Sequence, residues 1–519
     1  MKEFIVCSLL FLLVSCNNND SLFVSLPSNK TQIKFQNNLT STTDLNILNY
    51  LYYYNGAGVA AADFNNDGLA DLYFTGNQTA DKLYLNTGGL QFKDITKQAL
   101  INNSTPWTTG VTTVDINNDG FLDIYICKIG AHNSIKGNNL LYINEGPDIN
   151  GIPRFKEAAS FYGLDIASFA TQASFFDFDK DGDLDLFLIN HSLYPNSNYG
   201  KGSIRTEVDQ MSGDKLFENK QGKFEDVTFQ SGIFQGKIGY GLGLSIGDVT
   251  NDGYPDIYVG NDFFENDYLY INQKDNTFKE VISKDKTALG HTSHFSMGNA
   301  ISDLNNDSKM DIISLDMLPE NLKTYKTSGL EFPYQTYQYY LKNGYAPQFM
   351  QNTLHYNNGN ETFSEAAYLS GIAATEWSWS PIVGDYDNDG FKDIFVSGSP
   401  LLSATGSDAF EVIGVGGLGI STSITDTNGN GYIKELTISA TSLSSSLNSR
   451  INVITGSING LNNFTSSVVL TSQTSSMTVL SSSYAATASF ALNANSDLAI
   501  AGTTGTGTVD LQTQTLTVA

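Results

Sequence analysis

A nine-residue acidic turn occurs six times in this chain, and that repetition limits the fold more than any other feature. The first copy reads Asp63-Phe-Asn-Asn-Asp-Gly-Leu-Ala-Asp71, and the others begin at Asp115, Asp177, Asp248, Asp303 and Asp385. Strand-forming residues flank each copy: Gly-Val-Ala-Ala-Ala leads into the first, and Asp-Leu-Phe-Leu-Ile leaves the third. Each turn therefore joins two β-strands.

Oxygens at alternate positions of a tight turn converge on one point, and a hard divalent cation takes six to eight of them at about 2.3–2.6 Å. Side chains at positions one, three, five and nine and the backbone carbonyl at position seven form such a set. In the first copy these are Asp63, Asn65, Asp67 and Asp71, with the carbonyl of Leu69; in the second, Asp115, Asn117, Asp119 and Asp123, with Phe121. The third has Asp177, Asp179, Asp181 and Asp185, with Asp183, and the sixth has Asp385, Asp387, Asp389 and Asp393, with Phe391. Two copies depart from the pattern. The fourth sets Thr250 among Asp248, Asp252 and Asp256, with Tyr254; the fifth has Asp303, Asn305, Asp307 and Asp311, with Lys309, but carries Ser308 where the others have glycine. That sixth position calls for a positive φ, which glycine adopts without strain. The expected ligand is Ca2+, up to six ions, with occupancy weakest in the fourth and fifth copies. An EF-hand is excluded because its position-twelve glutamate is replaced by Phe74 and its flanking helices by strands. Hairpin turns alone would explain Asn-Asp-Gly, but not the outer carboxylates.

A second element alternates with the turns. Leu83-Tyr-Leu-Asn leads to Phe92-Lys-Asp-Ile, Leu216-Phe-Glu-Asn to Phe224-Glu-Asp-Val, and Tyr268-Leu-Tyr-Ile-Asn to Phe278-Lys-Glu-Val. Leu354-His-Tyr-Asn and Leu141-Tyr-Ile-Asn begin two further copies. Each reads as a hairpin, giving four strands per period of about fifty residues, the pattern of a propeller blade. The expected fold is all-β: a β-propeller of about seven blades across residues 23–400. The strand-like Phe23-Val-Ser-Leu through Ile33-Lys-Phe-Gln is a candidate for the closing blade. Extra length falls in two insertions, Asn196 to Asp214 and Glu320 to Met350. The second carries the tyrosine-dense Tyr334-Gln-Thr-Tyr-Gln-Tyr-Tyr-Leu, read either as a partner surface or as a short helix packed on the rim.

Four phrases carry a family resemblance: Asn55-Gly-Ala-Gly-Val-Ala-Ala-Ala-Asp-Phe, Asn261-Asp-Phe-Phe-Glu-Asn-Asp-Tyr-Leu-Tyr-Ile-Asn, His294-Phe-Ser-Met-Gly and Trp377-Ser-Trp-Ser-Pro-Ile-Val-Gly-Asp-Tyr-Asp-Asn-Asp-Gly. Over residues 20–398 the chain resembles the FG-GAP/VCBS-repeat lipoproteins of Bacteroidetes, which are similar to the cartilage-acidic-protein group associated with ASPIC/UnbV domains. The resemblance implies an integrin-α-like propeller with calcium in its blade turns, and it implies little about chemistry. No ASPIC/UnbV-like segment is visible.

Composition adds limits. The chain has 54 Asp and Glu against 28 Lys and Arg, a net charge of −26, which argues against nucleic-acid binding. Twenty of those carboxylates occupy side-chain positions of the six turns. Six calcium ions would bring the charge to about −14, and without metal the clustered carboxylates repel one another. At the N-terminus, Lys2 and the apolar run from Phe4 to Val14 read as a signal peptide over residues 1–15. Leu13-Val-Ser-Cys16 resembles a lipobox, which makes Cys16 the lipidation site, residues 16–22 a tether and the address the cell envelope, at the outer membrane. Of the three cysteines only Cys127 then remains as a thiol, so no disulfide framework exists. From residue 401 to 519 only eight residues are charged and Ser, Thr and Gly dominate. This tail resembles phage tail-fibre sequence, which implies that it trimerises if fibre-like. Its abrupt onset after Gly398 marks it as a graft, either a natural fusion or a join of unrelated sequences.

No Gly-x-Ser-x-Gly elbow, phosphate-binding loop or His-Glu-x-x-His is present, and His291 and His294 are read as structural. No catalytic residue is assigned. The sequence points to an exported binding or adhesion module for a glycan or protein, with the membrane reached only through the lipid. The alternatives are a carbohydrate-active or lipid-active enzyme on the same scaffold and a phage-related adhesin.

Overall fold

The computed structural model describes residues 23–103, 107–130, 132–194, 201–283, 288–327 and 333–398, together with short strands beyond residue 409. The expected signal peptide, tether and Cys16 lie outside the described residues.

The alternation of apolar runs and polar turns resolves into successive antiparallel sheets of four strands in sequence order. The first is built from Ala57–Ala62, Asp71–Phe74, Lys82–Asn86 and Phe92–Asp94, and the second from Thr108–Val114, Asp123–Lys128, Leu140–Pro147 and Pro153–Glu157. The third comprises Ala170–Phe176, Asp185–Asn190, Lys215–Asn219 and Phe224–Asp226, and the fourth Gly241–Gly247, Asp256–Asn261, Tyr268–Asn272 and Phe278–Glu280. The fifth comprises Asn299–Ser302, Asp311–Ser314, Thr353–Asn357 and Phe363–Glu365. A sixth begins with Ser378–Gly384 and Asp393–Gly398 and continues through Phe410–Gly414, Leu418–Thr425 and Glu435–Ser442, beyond the composition break. The strand Phe23–Leu26 pairs antiparallel with Gln514–Val518 in a separate three-stranded sheet.

First strands of successive sheets pack side by side, as in a β-propeller. Their crowding explains two glycines. A Cβ on Gly110 would stand 2.3 Å from the carbonyl oxygen of Thr171, and one on Gly298 would stand 2.4 Å from that of Trp379, distances at which backbone would have to move. The apolar core is divided between the sheets. Leu83, Ile124 and Tyr142 pack between the first and second, Tyr125, Leu186 and Phe217 between the second and third, and Phe187, Ile257 and Tyr270 between the third and fourth. Tyr258 with Ile312, and Ile313 with Ile394, continue the series. Apolar burial on this scale supplies the main driving force for stacking sheet on sheet.

The six acidic turns join first to second strands, so they share one end of the molecule. Links from second to third strands leave from the other end, and both long insertions are of this kind. Within them, Gly202–Thr206 forms a 3-10 turn and Tyr334–Lys342 an α-helix. The helix packs by one face: Tyr340 is buried and stacks on Phe264 at 4.6 Å, whereas Tyr334 and Tyr339 are exposed. The reading of this segment as a short packed helix thus holds. At the same end, residues 37–56 form a strap whose Tyr50, Tyr52 and Tyr53 are buried against Trp107, Phe169 and Tyr240. Among the described residues no helix is long and apolar enough to cross a membrane.

Candidate metal centre

The turns adopt one conformation in all six copies. Position four and position six both have positive φ. Asn66, Asn118, Lys180, Asn251, Asn306 and Asn388 occupy the former, and five glycines and Ser308 the latter. Ser308 takes φ 68° where the glycines take 86–96°, so serine accepts the left-handed region and the fifth turn keeps its shape. At Gly68, Gly120, Gly182, Gly253 and Gly390 an added Cβ would meet nothing within 4 Å. Glycine is favoured there by backbone conformation, not by lack of space.

The double bend folds the backbone amides onto the carboxylates. In the first copy Asp67 and Gly68 donate their N–H groups to the two oxygens of Asp63 at 3.1 and 2.7 Å, and Leu69 donates to Asp67 at 2.9 Å. The second, fourth, fifth and sixth copies repeat these bonds on Asp115, Asp248, Asp303 and Asp385. The ninth residue opens the second strand and is buried in every copy. Its Oδ2 accepts the amide of position two, from Phe64, Ile116, Phe178, Val249, Leu304 and Tyr386 in turn. In five copies its Oδ1 accepts the amide of a third-strand asparagine: Asn86, Asn144, Asn219, Asn272 or Asn357.

Those asparagines are a part of the site that the sequence reading treated only as hairpin residues. Their recurrence at the end of each Leu-x-x-Asn phrase was the available signal. Three of their side-chain amides also reach across to the neighbouring sheet, while those of Asn86 and Asn219 stay within their own. Asn144 donates to the carbonyl of Phe64 at 2.8 Å, Asn272 to that of Phe178 at 2.8 Å, and Asn357 to that of Val249 at 2.7 Å. In each case the acceptor is position two of the preceding sheet's turn. Asn66 and Asn306 add a second link by donating to the carbonyls of Gly120 and Gly390 at 3.0 and 2.8 Å. The turns are thereby joined to one another at their shared end.

The electrostatics are those of a cage built for positive charge. Burial pushes the ninth carboxyl up to about 8 in Asp71, about 7 in Asp123, Asp185 and Asp393, and about 6 in Asp256 and Asp311, against the pull of the amides they accept and with the push of neighbouring carboxylates. A cation at the turn would reverse that direction, since opposite charge favours the ionised form. Three carboxylates lie with ligand oxygens within 4.8 Å of one another in Asp177, Asp179 and Asp185, and again in Asp385, Asp387 and Asp393. In the third copy Oδ1 of Asp177 is buried and has no hydrogen-bond partner. An orphaned buried carboxylate oxygen beside two others, in an all-oxygen donor set, fits a hard divalent cation.

The fourth and fifth copies differ in charge. Lys274 Nζ lies 3.1 Å from Asp252, and Lys309 Nζ lies 3.0 Å from Asp307. Despite partial burial, the Tyr254 amide and Lys274 hold the Asp252 carboxyl below the usual carboxylate range, and Lys309 does the same to Asp307. Among the described residues no lysine or arginine pairs with the carboxylates of the other four turns. The two copies that depart from the sequence pattern are thus the two in which an ammonium holds the position-five carboxylate.

The histidines serve the fold. His294 faces the Gln348 side chain at 3.1 Å, and His355, on an inner strand of the fifth sheet, faces the carbonyl of His291 at 2.9 Å; His294 and His355 are buried and His291 is half-buried. Cys127 is buried in the second strand of the second sheet, and burial pushes its thiol far up, so it is inert.

Comparison with known proteins agrees with this geometry. The FG-GAP-like repeat family matches residues 63–126, 248–314 and 345–396, which contain five of the six turns. Cartilage acidic protein 1 of Homo sapiens is 34% identical over 136 residues, 26% of this chain and 20% of that protein, and the Mus musculus protein is 32% identical over the same length. The match thus spans about a fifth of those relatives. Among solved structures, the exotype rhamnogalacturonan lyase YesX overlaps 72% of this chain and 64% of its own at 11% identity and a TM-score of 0.32. The V. cholerae biofilm matrix protein Bap1 overlaps 75% and 61% at 10% identity and a TM-score of 0.29. The repeated turns and their shared hydrogen-bond plan coincide with the stretches that match FG-GAP-like repeats, so the chain carries FG-GAP-like repeats in an all-β, propeller-like arrangement.

Proposed function

We propose that the chain is an exported, calcium-stabilised propeller that acts as a binding module at the cell envelope. One observation carries the calcium reading. Six equivalent turns each bury a ninth carboxylate beside other carboxylates, and in four of them no lysine or arginine among the described residues forms an ion pair with those carboxylates. Asp63, Asn65, Asp67 and Asp71, with the Leu69 carbonyl, and the matching sets in the other turns would hold the ion, and bound calcium would supply the missing positive charge. The metal's role is structural: the turns lie between strands and are tied sheet to sheet, while the longer second-to-third links at the opposite end offer the surface for a partner. Anchoring through Cys16 accounts for the apolar N-terminal run. The partner is a glycan or a protein.

Differential scanning calorimetry with and without chelator tests the metal. Calcium bound only by the folded state raises the melting temperature in a concentration-dependent way. Isothermal titration of the stripped chain should give up to six equivalents, with the third and sixth turns filled first. A melt unchanged by chelator would remove calcium from the proposal.

A further inference from the structure

A lysine, an asparagine and an aspartate converge between the first two sheets, at the end opposite the acidic turns. Lys128 closes the second strand of the second sheet, Asp81 stands just before the third strand of the first, and Asn103 lies on the link between the sheets. Lys128 and Asp81 are buried, and Asn103 is half-buried. The Asn103 side-chain amide joins the two charges. Nζ of Lys128 donates to its Oδ1 at 2.8 Å, and its Nδ2 donates to Oδ2 of Asp81 at 2.6 Å. Asp81 is fixed further by the Tyr73 hydroxyl, which donates to Oδ2 at 3.0 Å, and by the Gly76 amide, which donates to Oδ1 at 2.9 Å. The lysine stem packs against Gly137, where an added Cβ would stand 2.9 Å from Cε. Burial pulls the Lys128 ammonium down to about 8 and pushes the Asp81 carboxyl up against the donors it accepts. Both shifts favour the neutral forms of the pair. A nucleophilic amine, an amide carbon beside it and an acid at the leaving nitrogen are the parts that amide exchange requires.

We propose that Lys128 and Asn103 become joined by an isopeptide bond, with Asp81 as the acid and base of the reaction. The ammonium first passes one proton to Asp81. A small rotation of the Asn103 amide presents the face of Cγ to Nζ, whose lone pair attacks it, and the carbonyl pair moves onto Oδ1. As this tetrahedral centre collapses, Asp81 protonates Nδ2, the Cγ–Nδ2 bond breaks and ammonia leaves. The carboxylate so formed takes the surplus proton from Nζ. One C–N bond forms and one breaks, so no oxidant or second reactant is needed. The product exchanges a buried ammonium and carboxylate, costly to desolvate, for a neutral amide and a neutral acid. It also ties the link between the sheets to the second sheet, in a chain whose described residues hold no disulfide. Neither calcium nor a bound partner is required.

Trypsin and mass spectrometry on the purified full chain, denatured before digestion, test the bond. Trypsin cuts after a lysine only when its Nζ is free, and the sites that follow Lys97 are Lys128 and Lys136. The expected product is residues 98–136 in one piece, lighter than its sequence by one ammonia, with no fragment ions from breaks between positions 103 and 128. Asp81→Asn keeps the size of the side chain but removes the acid, and should release residues 98–128 at full mass. If that variant does not melt like the parent, Asn103→Ala, at a half-buried position, should release the same stretch at its own full mass. Full mass with cleavage after Lys128 in the parent would overturn the proposal. Loss of ammonia with cleavage after Lys128, the mark of a succinimide at Asn103, would overturn it too, as would a cross-link that survives in either folded variant.

Discussion

Replacing Asn144 by alanine tests whether the third-strand asparagines couple one sheet to the next. In the folded chain Asn144 is fully buried. Its amide donates to Phe64 of the first sheet's turn at 2.8 Å and to Leu122 of its own sheet at 3.1 Å, and its oxygen accepts from Gly146 at 3.0 Å. Alanine keeps the backbone bond to Asp123 but strips all three side-chain bonds. An ordinary intramolecular hydrogen bond is worth about 0.5–1.5 kcal/mol net, and a buried group left without a partner costs about 1–3 kcal/mol. The structure supplies an internal reference. Asn86 sits at the same place in the first sheet, donates to Ala70 at 3.0 Å and accepts from Gly88 at 3.0 Å, but among the described residues it bonds to no neighbouring turn.

Asn144→Ala should therefore cost about 2–4 kcal/mol, and about 1–3 kcal/mol more than Asn86→Ala, the excess being the orphaned Phe64 carbonyl. Urea denaturation in saturating calcium, with the m-value checked for constancy, measures both. The exposed Asn358→Ala, which loses a 3.2 Å bond to Thr362 and a 3.0 Å bond from Ser364, both at the surface, should cost less than about 0.5 kcal/mol. Equal costs at Asn86 and Asn144 would falsify the coupling, whatever their absolute size. The same variant should also weaken calcium in the first turn, one sheet away, because Phe64 carries both the carbonyl that Asn144 holds and the amide that Asp71 accepts.

Three other expectations follow from neighbouring contacts. Lys274→Met and Lys309→Met remove the ammonium that competes for Asp252 and Asp307, so isothermal titration should find tighter calcium at the fourth and fifth turns; unaltered affinity would mean the lysines do not compete. Arg205→Met breaks the buried pair with Glu265 (2.8 Å) that pins the Gly202–Thr206 turn, and leaving that carboxylate alone should cost about 3–5 kcal/mol, read as faster hydrogen exchange across residues 201–206. His191, which burial holds at about 3, contributes stability that is full above its unfolded value of 6.5 and is lost as pH falls toward 3. The stability gap between the parent and His191→Gln should shrink on acidification by up to about 1.4 kcal/mol per pH unit, and a pH-independent gap would show that the ring titrates normally.

What could be seen in the sequence and what could not divide along a physical line. The acidic turns were legible because their chemistry is local: a left-handed position, a set of oxygens and two flanking strands all fall within nine residues. Their common end and their place between first and second strands followed from the same spacing. That the fourth and fifth copies stand apart was readable as well, although the feature that sets them apart in the structure is not the one the sequence pointed to. Ser308 takes the required φ without disturbing the turn, and Thr250 keeps the backbone pattern; the difference lies in Lys274 and Lys309, of which Lys274 comes from a neighbouring hairpin. The cross-sheet bonds of Asn144, Asn272 and Asn357 span 80, 94 and 108 residues, so no local pattern announces them. A small axial cavity lined by Tyr50, Trp107 and Trp379 is the extreme case. It draws on the strap and on the starts of several first strands; Gly56, Gly298 and Trp379 fall in phrases that carry the family resemblance, but nothing local pairs them, and only closure of the sheets around one axis brings Trp107 and Trp379 to the same cavity. Repetition therefore exposes what each sheet does for itself and conceals what the sheets make together, and in a propeller the binding surface belongs to the second kind.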